Sequence, residues 1–203
     1  DENIPLFVTF TVDVKGYTLS GNPVESCLLS LQGLNITAFG LNCSFGPDDM
    51  LSAIKPALRY ANIPLILKPN AGVEGMDTKI YSPSDFSEFT KAAMELGIYI
   101  FGGCCGTTAD HIKAIKNSVA DNYETNITKS ADKNYFTDGK VIYNLNNIVL
   151  SPSLNCDEFL SDELFSLNEN INTLLINITD VSEINNFIEN IPFIKYPVCL
   201  LSD

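Results

Sequence analysis

Two adjacent cysteines, Cys104 and Cys105, follow a short apolar run and a pair of glycines in the stretch GIYIFGGCCGTTADHI, residues 97–112. Neighbouring side chains on a regular strand point to opposite faces, so both sulfur atoms can serve one site only where the backbone bends. The glycines on both sides of the pair give the chain that freedom. The stretch therefore predicts two thiols at one site, immediately after a strand.

Two more polar residues follow predicted strands. Cys43 closes an apolar run at 38–43, and Asn70 comes shortly after the run at 63–68. The carboxyl ends of parallel strands meet at one edge of a sheet, so we expect Cys43 to lie within a few ångströms of Cys104 and Cys105. Soft sulfur ligands without haem or iron–sulfur spacing favour zinc, and three protein ligands leave a fourth tetrahedral position open, as in catalytic zinc sites.

Spacing alone leaves two other interpretations of these cysteines open. They could be small buried hydrophobic residues, as free cysteines often are. Cys104 and Cys105 could also form a redox pair, although the Cys-x-x-Cys spacing of such pairs is absent. The other cysteines fall within a predicted helix, loop and strand, and we interpret them as structural: Cys27, Cys156 and Cys199.

Two further residues could take part in chemistry. His111 is the only histidine, and its place in the first turn of a predicted helix favours capping or packing over catalysis. Lys68 ends the third apolar run and has no evident partner for Schiff-base chemistry, so we interpret it as structural.

The elements that must position these residues alternate along the first part of the chain. Apolar strands are predicted to start near residues 5, 38, 63 and 97, and a helical pattern follows each of them, with capping signals at Asn22, Gly46, Ser82 and Thr107. Spacings of this length are typical of βα units in a parallel sheet, which gives a (β/α) barrel or a doubly wound sheet. The glycine-rich nucleotide-binding motifs are missing.

After about residue 120 the chain becomes rich in Asn, Asp and Ser. Asp138-Gly139 has the signature of a two-residue hairpin turn. Beyond it, strands near 148–153, 173–178 and 196–201 alternate with helices near 157–168 and 180–190, which predicts a second, smaller αβ unit. Because the sequence stops directly after an apolar strand, we expect a fragment of a longer protein or a split subunit.

Composition narrows the class of protein. The chain has 203 residues, 45% of them hydrophobic, and a formal net charge of −13, so it can bury a sizeable core but should repel nucleic acids and anionic membrane surfaces. It has no apolar run of 18 residues and no basic n-region of a signal peptide. We therefore expect a cytoplasmic protein with reduced thiols.

Three motifs carry a family resemblance, in one order along the chain: LNCSFGPDDML at 41–51, LKPNAG at 67–72 and FGGCCGTTADHI at 101–112. Over about residues 4–120 the chain resembles the homocysteine S-methyltransferase family, in particular the homocysteine-binding modules of its cobalamin-dependent members. The resemblance implies that residues 1–125 form the C-terminal half of a TIM-type (β/α)8 barrel, part of an α/β fold. Residues 126–203 would add a hairpin and a small αβ segment.

The same resemblance implies an activity. Cys43, Cys104 and Cys105 would bind zinc, with Asn70 beside the metal or against homocysteine, and the zinc-bound homocysteine thiolate would attack a donor methyl group to give methionine. The methyl donor stays open among methylcobalamin, methyltetrahydrofolate, S-methylmethionine and betaine. A cobalamin-carrying module is an expected partner.

The strands that match correspond to the last four of eight. The missing N-terminal half of the barrel, or a second copy of the chain, is therefore a further expected partner, and the isolated chain is expected to be a poor enzyme. The alternatives are a non-catalytic zinc-binding module, or a half-subunit that needs a partner chain, and a thiol redox protein.

Overall fold

The computed structural model describes residues 4–72, 79–120, 134–157, 160–167 and 170–201. The chain divides into two compact units, the first comprising residues 1–135 with 139–141 and the second 136–138 with 142–203. The division predicted at 125/126 lies outside the described residues.

The first unit alternates strand and helix four times, as its periodicity predicts. Its elements are β1 Phe7–Phe10, α1 Val24–Leu31, β2 Ala38–Asn42, α2 Pro47–Ile54, β3 Leu65–Lys68, α3 Pro83–Glu95, β4 Ile100–Phe101 and α4 Ala109–Ala120. The strands form a parallel sheet in chain order, β1-β2-β3-β4. All four carboxyl ends therefore lie at the same edge of this sheet.

Helices cover one face of this sheet. Phe39 and Leu41 of β2 and Leu65 and Leu67 of β3 are buried in one cluster with apolar residues of α1, α2 and α3. Because side chains alternate along a strand, the residues between them point to the opposite face. Gly40 shows how closely β2 and β3 approach there, because a Cβ on it would lie 1.7 Å from the carbonyl oxygen of Ile66.

Local signals explain where two of the helices begin and end. Ser82 caps α3: its hydroxyl accepts a hydrogen bond from the amide of Asp85, whose carboxylate in turn accepts from the amide of Ser82. α2 ends at Ile54 and continues as a 3₁₀ helix over Lys55–Arg59, which contains Pro56. A proline there lacks the amide hydrogen that a continuing α-helix needs.

The second unit holds a smaller parallel sheet with helices between its strands, where the sequence predicts a smaller αβ unit. β7 Leu150–Asn155, α5 Leu160–Phe165, β8 Thr173–Asn177, α6 Glu183–Asn190 and β9 Val198–Leu201 follow one another, and the strands pair in the order β7-β8-β9. Its buried core is separate and comprises Leu154, Cys156, Leu160, Leu174 and Ile176. The last two strands thus pair within their own sheet and not with the sheet of the first unit.

The hairpin prediction is correct in position and wrong in the length of its turn. β5 Tyr135–Thr137 and β6 Ile142–Asn144 pair as a two-stranded sheet, but four residues, 138–141, connect them. A two-residue type I′ turn needs positive φ at both central positions. Gly139 has φ +96°, whereas Asp138 is not among the described residues with positive φ.

Candidate metal centre

Three thiols meet at the carboxyl ends of β2 and β4. The Sγ atom of Cys43 lies 3.1 Å from that of Cys104 and 3.5 Å from that of Cys105, and all three sulfur atoms lie within 4.8 Å of one another. Two sulfur atoms bound at about 2.3 Å to a tetrahedral zinc ion stand about 3.8 Å apart. The three sulfur atoms are therefore close enough to share one metal ion, and soft thiolates are ligands that zinc prefers.

An unusual backbone conformation places Cys43 at this site. Cys43 and the following Ser44 have φ angles of 59° and 66°, a left-handed region that non-glycine residues rarely occupy. Hydrogen bonds hold the bend in place: the amide of Cys43 donates to the carbonyl of Lys68 at 3.0 Å, and the Ser44 hydroxyl accepts from the amide of Val12 at 3.0 Å. Positive φ angles at non-glycine residues, as at Cys43 and Ser44, are typical of functional sites.

The loop after β3 holds the backbone of the cysteine pair through three hydrogen bonds. The amide of Cys104 donates to the carbonyl of Pro69 at 2.9 Å, and the amide of Ala71 donates to the carbonyl of Cys105 at 2.8 Å. The amide of Cys105 donates to Oδ1 of Asn70 at 3.2 Å. Three hydrogen bonds to successive residues thus hold the pair in place.

Close backbone contact between these two loops depends on glycine. A Cβ on Gly106 would lie 1.6 Å from the carbonyl oxygen of Gly72, and Gly106 has φ +77°. At Gly103 a Cβ would meet the Thr107 side chain at 2.2 Å. The glycines that flank the cysteine pair therefore let the two loops pack as well as bend.

Asn70 lies beside the thiols, as its position after β3 predicts. Its side chain is half-buried, and its Oδ1 accepts the hydrogen bond from the Cys105 amide. Within the part of the chain that the structure describes, its amide nitrogen Nδ2 has no hydrogen-bond partner. Contact of Asn70 with a metal or with homocysteine stays a prediction.

The remaining cysteines are placed elsewhere. Burial raises the pKa of the Cys27 thiol on α1, with Glu25 adding to the effect, and burial likewise raises the pKa of Cys156, which donates to the carbonyl of Glu183 at 3.2 Å. Protonated thiols are poor metal ligands. Cys199 is exposed on β9. Among the described residues, the group of three potential ligands contains none of these cysteines.

His111 has the capping and packing role that its position predicts. Its ring is buried, and Nδ1 accepts a hydrogen bond from the amide of Thr108 at 3.1 Å. Nδ1 therefore carries no proton, and Nε2 donates to the carbonyl of Tyr81 at 2.9 Å. Both ring nitrogens are occupied, which leaves none for a metal ion.

The described residues include no helix that is both long and apolar enough to span a membrane.

Parallel βα units with three thiols at the carboxyl ends of two strands define an α/β protein with a candidate thiolate metal centre. A sequence profile of the homocysteine S-methyltransferase family matches residues 1–119. The chain belongs to the homocysteine S-methyltransferase family.

Two curated relatives carry the name methionine synthase. The protein from Mycobacterium leprae (strain TN) is 34% identical over 123 residues, and the one from Mycobacterium tuberculosis (strain ATCC 25618 / H37Rv) is 33% identical over 124 residues. The matches cover 58% and 59% of this chain but 10% of each relative. The chain thus spans about a tenth of the length of the proteins it matches.

Proposed function

We propose that this chain is part of a zinc-dependent homocysteine S-methyltransferase that makes methionine. The observation that carries the proposal is the group of three sulfur atoms within 4.8 Å of one another. Family membership and the two relatives named methionine synthase support the reaction class. On this proposal, residues 1–125 are the C-terminal half of a TIM-type (β/α)8 barrel, which agrees with four parallel strands in chain order.

Each residue of the site has a distinct task in this proposal. Cys43, Cys104 and Cys105 would hold zinc as thiolates, and the bend at Ser44 and the hydrogen bond from the Cys105 amide to Asn70 keep them in place beforehand. A bound zinc ion supplies one chemical effect, which is to keep the thiol of homocysteine deprotonated at neutral pH. A free thiol has a pKa of about 8.5, so it would otherwise be mostly protonated.

The reaction moves a methyl group to sulfur. A new sulfur–carbon bond forms while the bond between the methyl carbon and its donor breaks, and the donor keeps that electron pair. Methylcobalamin and methyltetrahydrofolate are the donors that we propose, supplied by another module. Asn70, whose Nδ2 has no hydrogen-bond partner among the described residues, is suited to donate a hydrogen bond to homocysteine.

Metal analysis of purified variants tests the site. We expect about one zinc per chain in the wild type, and loss of that zinc on replacing Cys43, Cys104 or Cys105 by Ser, because each replacement removes one of three thiolate ligands. Cys27→Ser and Cys199→Ser are matched controls that should keep the metal. A Cys43/Cys104/Cys105 triple variant that retains stoichiometric zinc would contradict the proposal.

Proton release tests the reaction class separately. Adding homocysteine to the zinc-loaded chain at pH 7 in weak buffer should release close to one proton per homocysteine bound, because the thiol ionises on binding. The triple variant should release none. Zinc binding without proton release would favour the alternative, a non-catalytic zinc-binding module.

A further inference from the structure

Lys68 is the only charged residue within the four strands of the first unit. Burying a charge in a parallel sheet costs free energy unless an opposite charge or a ligand pairs with it. Register places Lys68 next to Asn42 of β2, and the residue before it, Leu67, pairs with Phe101. Leu67 is buried against the helices, so Lys68 points to the opposite face.

The Lys68 side chain occupies space that is open because residue 102 is a glycine. A Cβ on Gly102 would lie 3.0 Å from Cγ and 3.3 Å from Cδ of Lys68, so the lysine stem runs directly over Gly102. Cys104 follows two residues later, and Cys43 donates its amide hydrogen to the Lys68 carbonyl. The stem of Lys68 therefore lies at the same sheet edge as the three thiols.

The charge of Lys68 has no protein partner in the part of the chain that the structure describes. The ion pair recorded there joins Lys79 and Asp48, at 3.5 Å, and both of those side chains are well exposed. Lys68 as a whole residue is half-buried. A half-buried cation that has no carboxylate partner among the described residues, beside a candidate ligand site, is suited to bind an anionic group of the ligand.

We propose that Lys68 binds the carboxylate of the substrate and so restricts the site to thiols that carry one. The inference rests on the proposed function and adds to it a specificity-determining residue. A zinc ion would offset two of the three thiolate charges. Lys68, in contrast, is the one cation of these strands that can offset a substrate carboxylate in a chain of net charge −13. This proposal differs from the structural interpretation of Lys68 that the sequence favours.

Calorimetric titration of the zinc-loaded chain with two thiols tests the inference. One is homocysteine, and the other is 3-aminopropanethiol, which is homocysteine without its carboxylate. The wild type should bind homocysteine about 10- to 100-fold more tightly, the range that a charge-assisted hydrogen bond of this kind gives. Lys68→Met should remove that preference and leave the affinity for 3-aminopropanethiol unchanged, whereas Lys68→Arg should retain most of it.

Lys91→Met is the matched control, because it removes the same charge from the exposed side of α3, within the helix layer. It should bind both thiols as the wild type does. Equal affinities of the wild type for the two thiols, or an equal loss of both with Lys68→Met, would overturn the inference. So would a zinc content that falls with Lys68→Met, since Lys68 would then serve the metal site.

The outcomes separate the two proposals. A wild-type chain that binds no zinc rejects the proposed function, and this inference with it. A chain that binds zinc and releases a proton with both thiols, but does not distinguish them, keeps the proposed function and rejects the role of Lys68. Because the comparison of the two thiols uses the wild type, it does not depend on the folding of any variant.

Discussion

At the scale of single residues, the site depends on backbone conformations that ordinary side chains do not favour. Cys43 and Ser44 both have positive φ, and Gly106 combines a positive φ with contact against Gly72. The bend at Cys43 and Ser44 persists because hydrogen bonds to Lys68, at the end of β3, and from Val12, after β1, hold it. The position of the thiols is therefore a property of the loops as much as of the cysteines.

Gly106 provides a test of that dependence. Gly106→Ala adds a methyl group 1.6 Å from the carbonyl oxygen of Gly72 at φ +77°, so the loops must separate. We expect the variant to lose at least tenfold in zinc affinity, measured by competition with a chelator.

Gly97→Ala is the matched control for this substitution. Gly97 has a similar φ, +83°, but a Cβ there meets nothing within 4 Å. Gly97→Ala should lower the free energy of unfolding by about 1 kcal/mol and leave zinc affinity unchanged. Equal zinc affinities for the two variants would show that contact between the loops does not position the thiols.

The sequence alone predicts that the three cysteines lie close together, but it does not predict the backbone conformations that place them. The positions of Cys43, Cys104 and Cys105 at strand ends follow from periodicity, because parallel strands bring their carboxyl ends together. The positive φ of Ser44 and the approach of Gly106 to Gly72 cannot be predicted in this way, since they depend on contacts between residues distant in sequence.

At the scale of elements, α3 links two strands whose carboxyl ends carry residues of the site. It joins β3, which precedes Asn70, to β4, which precedes the cysteine pair, and its Phe89 packs edge-on against Phe101 of β4 at 6.1 Å. Its capping box was predictable from the pattern Ser-Pro-Ser-Asp, because such signals are local. The four-residue connection between β5 and β6 was not, since Asp-Gly alone does not fix the conformation of the residues around it.

The cap of α3 gives a prediction about stability. Ser82→Ala removes the hydroxyl that accepts from the Asp85 amide, and should lower the free energy of unfolding by about 1 kcal/mol. Ser84→Ala, in the exposed first turn of the same helix, should change it by less than about 0.5 kcal/mol. Urea unfolding measures both, and equal values would contradict the assigned cap.

The cap also predicts a dependence on pH. Hydrogen bonds from the Ser82 amide and hydroxyl hold the pKa of Asp85 below its ordinary value. A carboxyl group whose pKa is lower in the folded state stabilises the protein above its unfolded pKa, and this contribution is lost as the pH falls through the folded pKa. Asp85→Asn should therefore reduce the loss of stability on acidification, and an unchanged loss would count against this contribution.

At the scale of the whole molecule, the candidate metal centre and the family match fall in the first unit and not in the second. The first unit contains the three thiols and all of the family match, which ends at residue 119. The second has its own sheet and core, and its elements were predictable from hydrophobic patterns, whereas nothing in those patterns indicates its function. Family membership therefore describes the first unit.

The sheet of the first unit leads to the last prediction. Within the described residues β1 and β4 each pair on one side only, so each leaves backbone groups unpaired along one edge. The strands of the second unit do not cover these edges by pairing, because they form a separate sheet. Completing a (β/α)8 barrel would take further strands, from a preceding segment or from another chain.

We therefore expect this 203-residue chain, by itself, to bind zinc but to form methionine slowly or not at all from homocysteine and methylcobalamin. All three proposed zinc ligands lie on the loops after β2 and β4 of this chain, whereas the (β/α)8 barrel that we propose needs four further strands. Zinc content and methionine formation, measured on the same preparation, check this expectation. Adding the family's N-terminal barrel half, as a separate polypeptide or by fusion before Asp1, should raise the rate while zinc content stays near one. A rate from the isolated chain equal to that of the complemented protein would mean that the four βα units described here suffice for catalysis.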